Sequence, residues 1–310
     1  MSNVILCLMG PTASGKTDVA CELVQRFPVE IISVDSAMIY RDMNIGTAKP
    51  DAEILARAPH HLINIIDPPA TYSVASFCDD VALLSESIIS RGNIPLLVGG
   101  TMMYFRALQQ GLSVLPPADE TLRAQLLQQA TEHGWAYMHQ KLSQVDMATA
   151  ARLHPNDTQR VQRALEVYYI TKRPLSEFLG MSKGIPAYHF VNFALIPNER
   201  IWLHQRIALR FEQMLRQGLV EEVEGLLLKW QLTLEHPSMR CVGYRQALLY
   251  LKGEYNYLTL GEKGIAATRQ LAKRQLTWLR HWSDAYVFAA ESPAITSEIM
   301  ALIEQILDNS

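Results

Sequence analysis

The segment Gly10–Thr17 constrains this chain more than any other. Its sequence, Gly-Pro-Thr-Ala-Ser-Gly-Lys-Thr, matches the pattern G-x-x-x-x-G-K-[ST], in which glycines let the backbone curl until successive N–H groups face phosphate oxygens. The apolar run Val4–Met9 precedes it, and a helical pattern over 16–26 follows it. This order of strand, loop and helix is the context that the motif requires, and it predicts a site for a di- or triphosphate.

The residues of this phosphate loop have different predicted roles. We expect Lys16 to bring a mobile positive charge to the terminal phosphate, and the Thr17 hydroxyl to be a ligand of Mg²⁺. The predicted diphosphate-binding set within the loop is Gly10, Pro11, Thr12, Ala13, Ser14, Gly15, Lys16 and Thr17. The pattern does not identify the ligand as ATP.

Further apolar runs predict the strands of one sheet. Val29–Val34 and Ile94–Val98 are separated by an amphipathic helical pattern over 74–90, and Val191–Ile196 is a later run of the same kind. Alternating strands and helices predict a parallel sheet that is covered on both faces. Ligands of such sheets bind at the carboxyl ends of the strands, so the motifs that follow these runs are expected to share one pocket.

Asp35 and Thr101 follow two of these runs. A carboxylate beside a phosphate loop can hold Mg²⁺ through water, act as a general base, or simply cap a following helix. The run before Thr101 ends in Gly99 and Gly100 rather than in acidic residues, which argues against a motor-type NTPase. The two glycines would let a flat substrate approach the backbone and the Thr101 hydroxyl, although a tight turn with a helix cap explains them as well.

A length of 310 residues suggests about two domains. Pro116 and Pro117 mark a break, and the residues from there to about 183 look helical and poor in strands. The predicted fold class is therefore α/β, with a P-loop-containing parallel sheet core formed by residues 1–115 and 187–310. A helical insertion over 116–186 interrupts this core, and the chain beyond 196 is predicted to be mostly helical.

The charge of the chain is unevenly placed. The formal net charge is −3, but residues 200–282 contain 13 Lys and Arg against 7 Asp and Glu. Such a basic region indicates a local anionic partner, a phosphate or an RNA backbone, unless it is only a set of solvated helix faces. Arg200, Arg206 and Arg210 could bring a guanidinium to the phosphate loop.

Two other segments combine arginine with side chains that can recognise bases. Gln159–Arg163 places Arg160 and Arg163 on one face of a helix, beside two glutamines. Arg240–Arg245 surrounds a glycine with two arginines and a tyrosine, which could clasp a nucleic-acid backbone and stack on a base.

Other features of the composition argue against several classes of protein. Hydrophobic residues make up 49% of the chain, yet no stretch approaches about 18 apolar residues and no signal-peptide pattern is present, which predicts a cytoplasmic protein without a membrane span. The four cysteines form no CxxC pair, which favours reduced thiols. His60, His61 and Asp67 could suggest a metal site, but adjacent residues rarely bind one ion, so a structural role is favoured.

Taken in order, seven motifs resemble those of the bacterial tRNA dimethylallyltransferases, also called tRNA isopentenyltransferases, over nearly the whole chain. The motifs occupy residues 10–17, 35–40, 60–68, 99–101, 159–163, 240–245 and 269–274. The resemblance implies transfer of a dimethylallyl group from dimethylallyl diphosphate to N6 of adenine 37, in tRNAs that read codons beginning with U. It also implies a Mg²⁺ requirement and a monomer.

The same resemblance implies roles for individual residues. Asp35 would be the general base that accepts the N6 proton, Thr101 would contact the target nucleotide, and Arg210 would join Lys16 in binding the diphosphate. The implied tRNA-binding residues are Asp35, Ser36, Ala37, Met38, Thr101, Arg123, Gln159, Arg160, Val161, Gln162, Arg163, Arg240, Cys241, Val242, Gly243, Tyr244 and Arg245. The insertion would hold the anticodon arm from one side.

Two other functions explain part of the pattern. A small-molecule or nucleotide kinase would account for the phosphate loop and Asp35, but not for the basic region or the glycines before Thr101. A non-catalytic, RNA-binding GTPase-like switch would need a guanine-specifying motif such as N-K-x-D, which the sequence lacks.

Overall fold

The computed structural model describes residues 3–179, 182–183 and 188–308. Packing divides the chain into two compact units, one formed by Met1–Ala107 with Pro186–Ser310 and the other by Leu108–Ile185. The insertion predicted over 116–186 overlaps the second unit, which begins earlier, at Leu108.

The strands and helices of the described residues alternate over much of the larger unit. The strands are β1 (Val4–Met9), β2 (Val29–Val34), β3 (His60–His61), β4 (Ile94–Gly99), β5 (Leu112–Ser113), β6 (Ser182–Lys183), β7 (His189–Ile196) and β8 (Ala285–Ala289). The helices are α1 (Lys16–Arg26), α2 (Ala52–Arg57), α3 (Val74–Ser90), α4 (Met102–Gln110), α5 (Glu120–His133), α6 (Trp135–Val145), α7 (Met147–Ala150), α8 (Thr158–Thr171), α9 (Leu175–Phe178), α10 (Arg200–Arg216), α11 (Leu219–Trp230), α12 (Tyr244–Leu251), α13 (Tyr257–Arg280) and α14 (Ile295–Asp308).

The larger unit is built on a six-stranded sheet in the order β3-β2-β4-β1-β7-β8. All of its strand pairs are parallel, which confirms the predicted α/β class. Every residue of β1 is buried, because this central strand has a neighbour on each side and helices cover the sheet. Leu6 and Leu8 pack in one core with Leu23 of α1 and Ile303 of α14. Each such side chain contributes roughly 1.5–3 kcal/mol on burial.

The register of the sheet brings three strand ends together. Met9 of β1 and Val34 of β2 both pair with Gly99 of β4, so the three strands end at one level. The phosphate loop, Asp35 and Gly100 therefore leave the sheet side by side. The predicted convergence of these motifs is confirmed.

The glycines that follow β4 are explained by packing inside the protein. A Cβ atom on Gly99 would lie 2.0 Å from the carbonyl oxygen of Val34, and one on Gly100 would lie 2.3 Å from Nε2 of Gln275. Neither distance is possible for real atoms. At Gly99 the obstacle is strand backbone, which requires glycine, whereas at Gly100 it is the end of the Gln275 side chain, which would have to move. The approach of a flat substrate, which the sequence suggested as the reason, is not needed to explain them.

His60 and His61 are part of the sheet. They form β3, which pairs with β2, and His61 Nε2 lies 3.0 Å from Glu30 Oε2. Asp67 instead accepts a hydrogen bond from Arg41 at 2.9 Å. Within the described ranges, no group of three or more His, Cys, Asp and Glu side chains is placed to hold a metal ion. No described helix is long and apolar enough to cross a membrane.

The second unit is mostly helical, as predicted. Helices α5, α6 and α8 contribute Leu126, Met138, Leu142 and Leu165 to one buried cluster. The short strands β5 and β6 form an antiparallel pair, which the sequence did not indicate.

Candidate active site

A cavity of about 610 Å³ lies in the larger unit, where β1, β2 and β4 end. It gathers most of the site residues predicted for this unit. Those that line it are Thr12, Ala13, Lys16, Thr17, Asp35, Ser36, Ala37, Met38, Thr101, Arg210, Arg240, Cys241, Val242 and Gly243.

The phosphate loop is shaped for an anion. Helix α1 begins directly after Gly15, and no side chain caps the N–H groups of its first turn. These groups and the partial positive charge of the helix N-terminus are therefore available to a phosphate. Gly15 has φ +91° and Ala13 has φ +64°. The left-handed conformation costs Ala13 on the order of 1 kcal/mol, and the Arg206 Nε hydrogen bond to the Ala13 carbonyl, at 2.8 Å, helps to hold it.

Lys16 and Arg210 are two of the positively charged residues that line the cavity. Lys16 Nζ donates to the carbonyl oxygens of Gly10, at 3.0 Å, and Pro11, at 2.7 Å. Burial and the charge of Arg210 lower the pKa of Lys16 to about 7, although Asp35 acts in the opposite direction. Burial also lowers the pKa of Arg210, against the effect of Asp35. A bound anion would relieve this repulsion, so the arrangement favours a negatively charged ligand.

The carboxylate of Asp35 is held by its own chain. Its Oδ1 accepts hydrogen bonds from the backbone N–H groups of Ala37, at 2.8 Å, and Met38, at 3.2 Å. Asp35 thus caps a turn rather than a helix, which decides against the helix-cap alternative. These bonds use Oδ1 and leave Oδ2 as the oxygen that can accept a proton from a ligand.

The wall beside Arg210 is apolar. Ile207, Phe211 and Met214 line the cavity with Arg210, at positions i−3, i+1 and i+4 of the same helix, α10. A guanidinium next to apolar side chains suits a ligand with an anionic end and a small apolar end.

The segment 240–245 is only partly available to a ligand. Arg240 lines the cavity and is paired with Glu235 at 3.0 Å. Tyr244 is buried, with 0% of its surface exposed, and its hydroxyl donates to Glu222 Oε1 at 2.5 Å. Its ring therefore cannot stack on a base, contrary to the prediction. Arg245 is exposed.

The three residues that follow Arg240 bring no charged side chain to the cavity wall. Cys241, Val242 and Gly243 line the cavity. Burial, together with the charge of Asp35, raises the pKa of the Cys241 thiol to about 12, so it stays protonated.

The predicted tRNA-binding residues of the second unit surround one buried carboxylate. Arg123 Nε lies 2.9 Å and Arg163 Nη1 2.6 Å from the oxygens of Glu166, whose side chain is 0% exposed. Arg160, 74% exposed, pairs with Asp157 instead.

The uncharged residues of the same set differ in burial. The side chain of Val161 is buried in the helical core, and Gln159 is exposed. Gln162 donates to the Arg123 carbonyl at 3.0 Å. Contacts between these residues and tRNA stay a prediction.

Sequence reasoning missed several residues of the site, among them the apolar wall of α10 and Gln275. Gln275 of α13 lines the cavity and hydrogen-bonds both to the phosphate loop and to Gly100. A single glutamine in an amphipathic helix gives no signal of such long-range contacts.

This fold and site define a class of P-loop enzyme in which the phosphate loop lies next to a carboxylate and an apolar wall. The family model described as IPP transferase matches residues 38–282, and the one described as isopentenyl transferase matches residues 3–63. The chain belongs to the IPP transferase family.

Individual relatives agree with this assignment. The chain is 60% identical to a tRNA dimethylallyltransferase of Legionella pneumophila, over 100% of this chain and 99% of that protein. It is 52% identical to one of Coxiella burnetii, over 97% of each. The crystal structure of a tRNA isopentenylpyrophosphate transferase from Bacillus halodurans superposes with a TM-score of 0.73 at 35% identity, over 99% of this chain and 98% of that one. A eukaryotic dimethylallyltransferase acting on tRNA gives a TM-score of 0.83 at 26% identity, over 99% of this chain and 80% of that one.

Proposed function

We propose that this chain transfers a dimethylallyl group from dimethylallyl diphosphate to tRNA, and that the acceptor is N6 of adenine 37 in tRNAs reading codons that begin with U. One observation carries the proposal. The phosphate loop, the guanidinium of Arg210, the apolar wall of α10 and the carboxylate of Asp35 all line the same cavity. The family relationship supports transfer of a dimethylallyl or isopentenyl group, with tRNA as the acceptor.

Departure of the diphosphate is the step that the positive groups assist. The C1–O bond of the donor breaks as the bond from N6 to C1 forms, and the bonding electrons leave with the diphosphate. Lys16, Arg210 and the open N–H groups at the start of α1 face the charge that develops on the leaving oxygens. Fixed groups of this kind stabilise a transition state because they need no reorganisation when the charge appears.

Removal of a proton from N6 is the other half of the reaction. The lone pair of this amine is delocalised into the adenine ring, which makes it a weak nucleophile. Asp35 accepts the proton through Oδ2 as the new bond forms, while Oδ1 stays fixed by Ala37 and Met38. Base catalysis of this kind contributes roughly 10²–10⁴-fold to a rate. The adenine must leave its stack to reach the cavity.

The proposed cofactor is Mg²⁺, and the oxygen donors of the site fit it. Mg²⁺ is usually bound by one or two protein oxygens together with substrate phosphates and water. Thr17 and Asp35 present a hydroxyl and a carboxylate to the cavity that would also contain the diphosphate. Thr17 would be the protein ligand, and a contact between Asp35 and the ion would pass through water. The bound ion would neutralise part of the charge on the leaving diphosphate.

The experiment uses unmodified tRNA with adenine at position 37, the full chain, Mg²⁺ and dimethylallyl diphosphate. Mass spectrometry of the digested nucleosides should show one adenosine per tRNA enlarged by C₅H₈. A tRNA that differs only by guanine at position 37 is the matched control and should remain unchanged.

Other outcomes would reject the proposal. Modification of a different adenine would exclude the acceptor, and absence of product would exclude the reaction. Transfer of a labelled phosphoryl group from ATP to an acceptor would support the kinase alternative instead.

A further inference from the structure

Gln275 joins two loops that contribute to different halves of the proposed reaction. Its Oε1 accepts a hydrogen bond from the Thr12 backbone N–H at 2.9 Å, and its Nε2 donates to the Gly100 carbonyl at 2.9 Å. Thr12 belongs to the phosphate loop, and Gly100 precedes Thr101. The side chain is 9% exposed and therefore largely protected from water.

The backbone around Gln275 is shaped to fit it. A Cβ atom on Gly100 would lie 2.3 Å from Gln275 Nε2, so the amide can keep this position only beside a glycine. The direct contact between the two loops is weaker, since the Gly10 N–H lies 3.4 Å from the Gly99 carbonyl oxygen. Both hydrogen-bonding groups of one buried amide are thus used to hold the loops at a fixed separation.

The Thr12 N–H cannot point at a phosphate while it donates to Gln275. The side chain therefore occupies a backbone group of the phosphate loop instead of extending the set of anion-binding groups. This observation separates Gln275 from Lys16 and Arg210, whose charges face the ligand.

We propose that Gln275 is a positioning residue that aligns the phosphate loop with the Thr101 turn, so that the allyl donor and the acceptor base meet in reactive geometry. The role rests on the proposed function. Displacement of reacting groups by about 1 Å can cost about 10²-fold in rate, whereas binding of each substrate alone depends much less on their mutual alignment.

The main test is Gln275→Met, which keeps the length of the side chain and removes both hydrogen bonds. We expect kcat for tRNA modification to fall by about 10- to 100-fold. The Kd for inorganic pyrophosphate and the KM for tRNA should stay within about threefold of the wild-type values. Gln270→Met, at an exposed position of the same helix, is the matched control and should retain the wild-type kcat.

A second variant perturbs the same link from its other end. Gly100→Ala should displace the Gln275 amide and lower kcat by a similar factor. Its combination with Gln275→Ala should be much less harmful than the product of the two single effects, because both changes break one connection. Independent, multiplying effects would reject the link.

The remaining outcomes distinguish this role from others. An unchanged kcat for Gln275→Met, with only a lower unfolding temperature, would show a purely structural residue and overturn the proposal. Loss of pyrophosphate affinity at constant kcat would overturn it in favour of simple loop support. Absence of product from the unaltered chain would reject the proposed function and this role together, whereas wild-type product with an unaffected Gln275→Met variant would reject this role alone.

Discussion

The hydroxyl of Thr101 accepts a hydrogen bond from the backbone N–H of Ser36 at 3.1 Å. Residue 101 follows β4 and residue 36 follows β2, so this bond connects the two strand ends beside which the acceptor base is expected to bind. The N–H groups of the next two residues, Ala37 and Met38, donate to Asp35. Three successive backbone groups therefore orient the proposed base and its neighbouring hydroxyl.

Removal of the Thr101 hydroxyl should affect turnover of tRNA. Thr101→Val keeps the shape of the side chain but leaves the Ser36 N–H without its partner, and we expect kcat/KM for tRNA to fall by about 10-fold. Thr101→Ser keeps the hydroxyl and should retain most of the activity. Steady-state kinetics with varied tRNA would check both values. Equal activity of the Val and Ser variants would show that the Thr101 hydroxyl does not contribute to turnover.

Replacement of the proposed base should separate chemistry from binding. In Asp35→Asn the side-chain oxygen can still accept the N–H groups of Ala37 and Met38, so the turn is expected to persist. Product formation should fall by at least about 10²-fold because the amide cannot take up the N6 proton. Filter binding of tRNA should give a Kd close to that of the wild type. Unchanged turnover would exclude Asp35 as the base.

The local parts of this structure were predictable from the sequence. The bounds of β1, β2, α1 and α3 agree with the apolar runs and the helical period, because buried parallel strands and amphipathic helices leave strong patterns. The strand β8 was missed although residues 285–290 form a continuous apolar run, because such a short run does not by itself distinguish a strand from a buried helix segment and the chain beyond 196 was predicted to be mostly helical.

The parts that depend on distant contacts could not be predicted. Gln275 lies 263 positions from Thr12, and nothing in the composition of α13 indicates that these residues meet. Likewise, a tyrosine between a glycine and an arginine suggested base stacking at Tyr244, but tertiary packing placed its hydroxyl on Glu222. Sequence pattern identifies which residues can form a site, whereas the partners of each side chain follow from the fold.

The guanidinium of Arg210 should contribute directly to diphosphate affinity. Arg210→Met removes the positive charge while keeping an apolar side chain beside Phe211 and Met214, and we expect the Kd for inorganic pyrophosphate to rise about 10- to 100-fold. Arg216→Met, on the same helix but exposed and paired with Glu212, should leave this Kd unchanged. Isothermal titration calorimetry at constant ionic strength would measure both. Equal Kd values for the two variants would place the diphosphate elsewhere.

Glu30 should make the stability of the sheet depend on pH. Burial alone would raise the pKa of this carboxyl, but hydrogen bonds from Arg91, Asn93 and His61 lower it to about 2, below the ordinary value of 4.5. A carboxyl group whose pKa is lowered by folding stabilises the fold fully when the pH is above its pKa in the unfolded chain. This contribution is lost as the pH falls toward its pKa in the folded protein. Glu30→Gln should therefore lower the free energy of unfolding by about 1–2 kcal/mol near pH 6, because Arg91 is half-exposed and solvent screens the pair, and by progressively less between pH 4.5 and 2. Urea unfolding of both proteins across this range tests it, and a pH-independent difference would contradict it.

Arg160 and Arg163 look equivalent in the sequence, but their surroundings predict that replacing them by alanine will affect stability differently. Arg163 is 28% exposed and bonded to the buried carboxylate of Glu166, so Arg163→Ala should lower the free energy of unfolding by about 2–4 kcal/mol. Arg160 is 74% exposed, and its pair with Asp157 contributes little, so Arg160→Ala should change that free energy by less than about 0.5 kcal/mol.

The same two variants test the contact between α8 and tRNA. Arg160→Ala should weaken tRNA binding and reduce the slope of log Kd against log salt by about 1, as expected for the loss of one phosphate contact. Because Arg160→Ala keeps its stability, its weaker tRNA binding cannot come from unfolding. The same argument does not hold for Arg163→Ala, which is expected to be destabilised. Binding titrations at several salt concentrations, with urea unfolding of each protein, provide the comparison. An unaltered salt slope for Arg160→Ala would show that Arg160 does not contact an RNA phosphate.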